Sequence, residues 1–165
     1  YSRLGVQAFD VVVAVVAVAD DLRCQRPRHH ADQRSDQARQ LAREVARNVR
    51  KTNQQSMAAQ QSPDAEAWEP RKPRARDAKG KLRQGPMFRK LRNAKHLKAL
   101  AFRDAAVVQF VGRAERLARV HHFGLRDFVK PGGAEYDYPA RPLIGITQEQ
   151  IEQISDLILT HLTAS

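Results

Sequence analysis

The sequence contains a single cysteine, Cys24. One thiol excludes an internal disulfide and any cysteine metal cluster within the chain, and it fits a reducing cytoplasm. Long hydrophobic runs are missing as well. The most apolar stretch, Val11 to Ala19, falls well short of the ~20 residues that cross a bilayer, so no membrane association is expected. Its Ala-x-Ala ending is that of a signal peptide, but Asp10 precedes it and Arg3 is the only upstream cation, which argues against secretion. The chain begins with Tyr1 rather than methionine, which points to a missing or altered start.

The signatures of catalysis are absent too. There is no HExxH, no nucleophile elbow and no dinucleotide glycine pattern. Gly80-Lys81 lacks both the upstream glycine and the following hydroxyl of a phosphate loop. His29 and His30 sit with Cys24 in a polar tract, where adjacent histidines are ordinarily solvated. Asp127, Glu135 and Asp137 lie near His121 and His122. Neighbouring histidines on a helix point about 100° apart, however, so both do not readily reach one ion. His121 is expected to pack inward and His122 to face solvent or a neighbouring subunit. No enzymatic activity, metal or cofactor is expected.

What the chain does have is charge in one place. Its net charge is +11, and residues 69–103, with thirteen Lys/Arg against two acids, carry all of it. A basic block on a neutral body points to a polyanion or an acidic partner. A solvated loop that keeps subunits soluble is an equal alternative. The residues concerned are Arg71, Lys72, Arg74, Arg76, Lys79, Lys81 and Arg83. No helix-turn-helix, zinc finger or RNP aromatic pair accompanies them, so any contact with DNA is expected to be sequence-independent.

Along the chain, valine-rich residues 6–18 favour a strand, with a short buried helix equally allowed by the pattern. Residues 23–37 hold almost nothing that can be buried and read as linker or disorder. A helix capped by Ser35 or Asp36 follows, with Ala38, Leu41, Val45, Val49 and Met57 on one stripe. Arg39, Arg43, Arg47 and Arg50 form a second stripe, and Pro63 ends the helix. Residues 62–86, with four prolines and two glycines, read as a mobile basic loop whose base Trp68 pins to the body.

After Met87 to Leu91, where ordered structure resumes, two alternating segments (96–102 and 105–111) predict a hairpin turning at Arg103-Asp104. Arg113 to Phe123 is a short amphipathic helix stopped by Gly124. Pro131-Gly132-Gly133 makes a wide turn, and Pro139 and Pro142 hold Asp137 to Pro142 extended. Thr147 and Gln150 form a capping box for a last helix. Its buried stripe is expected to be Ile151, Ile154, Leu157, Ile158 and Leu162. The sum is α+β, with a long N-terminal helix, a small antiparallel sheet, a short middle helix and a C-terminal helix.

Five segments in fixed order carry a resemblance: LAREVARNVRKTNQQSMAAQQSPD (41–64), WEPRKPR (68–74), MFRKLR (87–92), ARVHHFGLRD (118–127) and EYDYPARPLIGIT (135–147). Together they resemble the phage virion morphogenesis family, the tail completion proteins of contractile-tailed phages. The resemblance covers about residues 38–163. It implies a fold similar to phage neck and tail-completion proteins and a non-enzymatic virion component at the tail or neck, made in the bacterial host cytoplasm. It further implies a homo-oligomer, commonly a ring of six, that meets the tail tube, a tail terminator or head connector proteins. On this reading residues 38–165 are one tail-completion-like domain. Residues 1–37 are an atypical, partly disordered segment, whose composition resembles GC-rich coding DNA read out of frame. The expected contacts with neighbouring subunits or partners are His121, His122, Phe123, Arg126, Tyr136, Tyr138, Arg141 and Leu143.

Overall fold

The computed structural model describes residues 11–14, 28–70 and 85–163. In chain order these form β1 (Val11–Ala14), α1 (Arg28–Ala59), β2 (Leu97–Ala101), β3 (Ala105–Phe110), α2 (Arg113–Phe123), β4 (Arg126–Phe128), β5 (Glu135–Asp137) and α3 (Gln148–Thr163). The fold is α+β. One antiparallel sheet has the order β1–β3–β2, and β4 pairs with β5 in a second.

The long helix organises the body. Leu41, Val45, Val49 and Met57 recur at helical spacing and are all buried, with Ala42 and Ala46 between them. Those two small residues let the sheet approach the helix axis closely. Against this stripe lie Leu97, Ala106, Val108 and Phe110 from the sheet, with Ala114 and Ala118 from α2 and Leu143 and Ile144 from the arm after β5. Helix α1 starts at Arg28, two turns before the expected cap. The polar tract read as linker is therefore helical from residue 28, and Ser35 and Asp36 lie inside the helix. Arg39, Arg43 and Arg47 are exposed as a row, whereas Arg50 is half-buried.

At its C-terminus α1 is closed by Gln60, a non-glycine residue at φ 61°. The Gln61 amide reaches back to Ser56 O at 3.1 Å. The Gln60 side chain then ties two segments together. Its Oε1 accepts the Met87 amide at 2.6 Å, and its Nε2 donates to Met87 O at 3.1 Å. Residues 60–68 close on themselves: the Trp68 amide donates to Gln60 O (3.0 Å) and the Ser62 amide to Glu66 O (2.8 Å). The start of the expected mobile loop is thus ordered. The cationic residues of that loop, Arg71 to Arg83, lie outside the described residues. Trp68 is buried, and its indole N–H donates to Pro142 O at 3.2 Å, so the expected pin at the loop's base is present.

The hairpin of β2 and β3 has the expected turn, with Ala101 opposite Ala106 and the Phe102 amide donating to Ala105 O at 2.7 Å. Within the valine-rich segment 6–18, Val11–Ala14 is a strand that pairs with Ala105–Val108 of β3, and the rest of the segment lies outside the described residues. The capping box of α3 is reciprocal. The Gln150 amide donates to Thr147 Oγ1 at 3.2 Å, and the Thr147 amide to Gln150 Oε1 at 3.0 Å. Its expected buried stripe is only partly covered: Ile154, Leu157 and Ile158 pack against the core, but Ile151 is 47% exposed. The side chain of Leu162 lies outside the described residues. Among the described residues no helix is long and apolar enough to cross a membrane.

Candidate assembly surface

Helix α2 ends at Gly124, which takes the left-handed conformation (φ 66°, ψ 48°). A Cβ there would lie 2.7 Å from Ala140 N, so the arm after β5 passes directly over the helix end. Glycine is needed for both reasons, the positive φ and the close backbone approach. The arm also satisfies the end of the helix, since the Arg141 amide donates to His121 O at 2.7 Å. Between helix and arm, the expected wide turn is the tip of a further hairpin. Arg126 pairs with Asp137 and Phe128 with Glu135, and the Gly133 amide donates to Lys130 O at 2.8 Å. The strands β4 and β5 are not predicted by the sequence pattern, because three residues each are too few to show a period.

Ion pairs position this hairpin. Arg116 on α2 bridges Asp127 at 2.6 Å, and Arg126 bridges Glu135 at 2.7 Å. The Arg116 guanidinium beside Asp127 holds its carboxyl below the usual range. Exposed pairs of this kind set orientation more than they add stability. Aromatic rings form a path across the same region. Trp68 meets Phe88 at 5.4 Å, Phe88 meets His121 at 4.9 Å, His121 meets Tyr138 at 4.8 Å, and Tyr138 meets Tyr136 at 5.0 Å. All four contacts are edge-to-face, the arrangement that ring quadrupoles favour.

The expected contact residues separate into two groups. Leu143 is fully buried and Arg141 is 5% exposed. The Arg141 guanidinium donates to Glu69 O through Nε (3.1 Å) and a terminal nitrogen (2.9 Å). Both side chains face the interior of the subunit, so neither is free to meet a neighbour, and replacing Arg141 is not neutral for the fold. His121 does pack inward, between Phe88 and Tyr138. His122 does not simply face outward: its Nδ1 accepts the Leu143 amide at 3.1 Å, and burial pushes its pKa down. That bond requires the ring proton on Nε2. Phe123 and Arg126 are exposed, and Tyr136 and Tyr138 are half-buried.

The structure adds apolar residues to these, among them Leu117, which helical spacing places on the inner face of α2 with Ala114, Ala118 and His121 but which is exposed. Leu117, Leu125, Phe128 and Val129 are 48%, 39%, 48% and 61% exposed. With Phe123 at 48%, five of the nine exposed large apolar side chains among the described residues fall between positions 117 and 129. The available signal is Phe128-Val129 placed directly before the Pro131-Gly132-Gly133 turn, an apolar pair where a turn is ordinarily polar. Among the described residues no three His, Cys, Asp or Glu side chains are grouped as metal ligands.

A closed core therefore stands beside exposed apolar residues at the end of α2 and on the hairpin that follows it. The profile of the phage virion morphogenesis family matches residues 23–163, and the chain belongs to that family. It is 36% identical over 116 residues to tail completion protein S of Escherichia phage P2, a span of 69% of this chain and 77% of that protein. No solved structure matches the chain. The family match begins at residue 23, so residues 23–37, expected to fall outside it, lie within the matched span.

Proposed function

We propose that this protein completes the phage tail as a structural, non-enzymatic component of the virion. In this reading it assembles as a homo-oligomeric ring, with six subunits the expected number. It sits at the tail or neck, where it meets the tail tube, a tail terminator or head connector proteins. The observation that carries the reading is the uncovered apolar surface at residues 117–129. Patches of this kind on a folded subunit mark protein contacts. They are held here on the end of α2 and on the hairpin that follows it, which Arg116–Asp127 and the arm over Gly124 fix to the body. Relatedness to a protein named for tail completion supplies the setting.

The test has two parts. Mass photometry with negative-stain imaging of the purified protein is expected to show discrete rings. Deleting the gene from its phage is expected to leave heads and tails unjoined or tails incomplete. Intact infectious particles lacking the protein would overturn the proposal.

A second reading, sequence-independent contact with nucleic acid, is favoured by one observation. Arg89, Lys90, Lys95, Lys98 and Arg103 are all exposed, and no acid lies among residues 89–103. DNA passing through a ring would meet such a surface. Gel-shift affinity that falls steeply with salt is the expected sign, and an unshifted probe at low salt would exclude it.

A further inference from the structure

Two outward faces of the subunit have matching chemistry and cannot meet within one chain. The first is on α3. Leu159 is 59% exposed on the side of the helix away from Ile154 and Leu157, and Ile151, at the end of the core-facing stripe, is 47% exposed. Glu152 and Asp156 border Leu159, with Glu149 one turn back along the same side, all exposed, and the helix has no Lys or Arg. None of the three carboxylates enters an ion pair among the described residues. Helical geometry places Glu152 and Asp156 beside Leu159 on one strip of the surface.

The second face is on β2, an edge strand of the three-stranded sheet. Leu97, Ala99 and Ala101 point to the core, so Lys98, Leu100 and Phe102 point the other way, as strand alternation requires. Leu100 and Phe102 are 36% and 38% exposed. Six Lys/Arg and no acid occur in residues 89–103, with Lys98 and Arg103 flanking the two apolar side chains. One face is therefore apolar and acidic, the other apolar and basic. Helix α1 packs against both α3 and the sheet. Each of the two faces is turned away from α1, so they do not reach each other in one subunit.

We propose that α3 of one copy docks on the outer face of β2 of the next copy. Leu159 meets Leu100 and Phe102, and Glu152 and Asp156 meet Lys98 and Arg103. The contact is heterologous, joining two different patches, and repetition of such a contact closes a ring when the rotation per subunit allows. The inference rests on the homo-oligomer reading above and names the surfaces that would build it. It leaves the apolar surface at 117–129 for the protein above or below the ring.

Charge reversal in the full chain tests this. One variant carries Glu152→Lys and Asp156→Lys, the other Lys98→Glu and Arg103→Glu. All four positions are exposed, so circular dichroism and melting are expected to match wild type. By sedimentation velocity at low salt, each variant alone is expected to self-associate roughly tenfold more weakly or worse, since like charges then oppose at both pairs. An equimolar mixture restores complementarity at every junction by alternation and is expected to recover assembly in even-numbered oligomers. Wild-type assembly by each variant alone would overturn this interface while leaving the ring intact. A mixture that stays dissociated would also overturn it. If wild type does not self-associate, either alone or on tails, the ring reading fails and this inference with it.

Discussion

Leu143 and Phe128 are both large apolar residues of the same motif-dense stretch, yet the first is fully buried and the second 48% exposed. The difference lies in where each backbone is tied. The arm that carries Leu143 is drawn inward by its own main chain, with the Arg141 amide on His121 O and the Leu143 amide on His122 Nδ1. The Gly145 amide and carbonyl are both held by Asn53. The hairpin that carries Phe128 pairs its backbone within itself and is tied to the body through the exposed Arg116–Asp127 pair and the ring contact of Tyr136 with Tyr138. One region commits its polar groups to the body, and the other keeps its apolar surface for something else.

Leu143→Ala is expected to have the largest effect on stability. Removing a fully buried leucine costs about 2–5 kcal/mol, depending on how far the cavity collapses. Urea unfolding monitored by circular dichroism measures it. A loss within experimental error would mean that the arm is not part of the core.

Asn53 comes next. Its side chain is buried, donates to Gly145 O at 3.0 Å and accepts the Gly145 amide at 2.8 Å, so one side chain replaces a strand partner for the arm. Asn53→Leu leaves both Gly145 groups without those bonds, at about 1–3 kcal/mol. Faster hydrogen exchange at the Gly145 amide is the direct readout. Unchanged exchange there would show that the arm is held by packing alone.

The hairpin gives the contrast its other half. Phe128→Ser with Val129→Ser is expected to leave stability within about 0.5 kcal/mol of wild type, as surface changes ordinarily do. If the exposed patch is an assembly surface, the same protein fails to restore particles to a deletion phage. Restoration at wild-type level would remove the patch from assembly, and strong destabilisation would place it in the fold.

Much of the body is legible in the sequence because long elements repeat their period several times. The stripe from Leu41 to Met57, the β2–β3 alternation and the Thr147–Gln150 box all depend on local spacing, and all are present in the fold. The illegible parts depend on contacts distant in sequence. Arg141 looks like a docking cation until Glu69 O is seen beside it, and Leu143 looks available until α1 covers it. The β4–β5 pair is too short to announce itself, and its exposed apolar residues are defined only once the core is known to exclude them. The start of α1 is hidden for the opposite reason: residues 28–37 are almost all polar, so no apolar period announces a helix there.

The smallest effect joins the two regions at His122, which sits in α2 just before the hairpin and accepts an amide of the arm. Burial pushes this imidazole below its ordinary value of 6.5. At a pH between the folded and unfolded values, the unfolded chain holds a proton that the folded chain refuses. The stability is therefore complete above 6.5, falls as the pH drops through that value, and stops falling once the folded value is passed. The slope of one such group is at most about 1.4 kcal/mol per pH unit. Protonation also removes Nδ1 as an acceptor, so the Leu143 amide loses its partner in the same step. His122→Gln supplies an oxygen in place of Nδ1 without titrating and is expected to flatten the dependence just below 6.5. Asp127, which Arg116 holds below 3.8, stabilises fully above that value and adds pH dependence only below it, where its stabilising charge is lost as the pH falls through the folded value. Denaturation midpoints measured across both windows separate the two groups. An unchanged slope in His122→Gln would assign the upper window to another residue and leave the seam between arm and helix insensitive to protons.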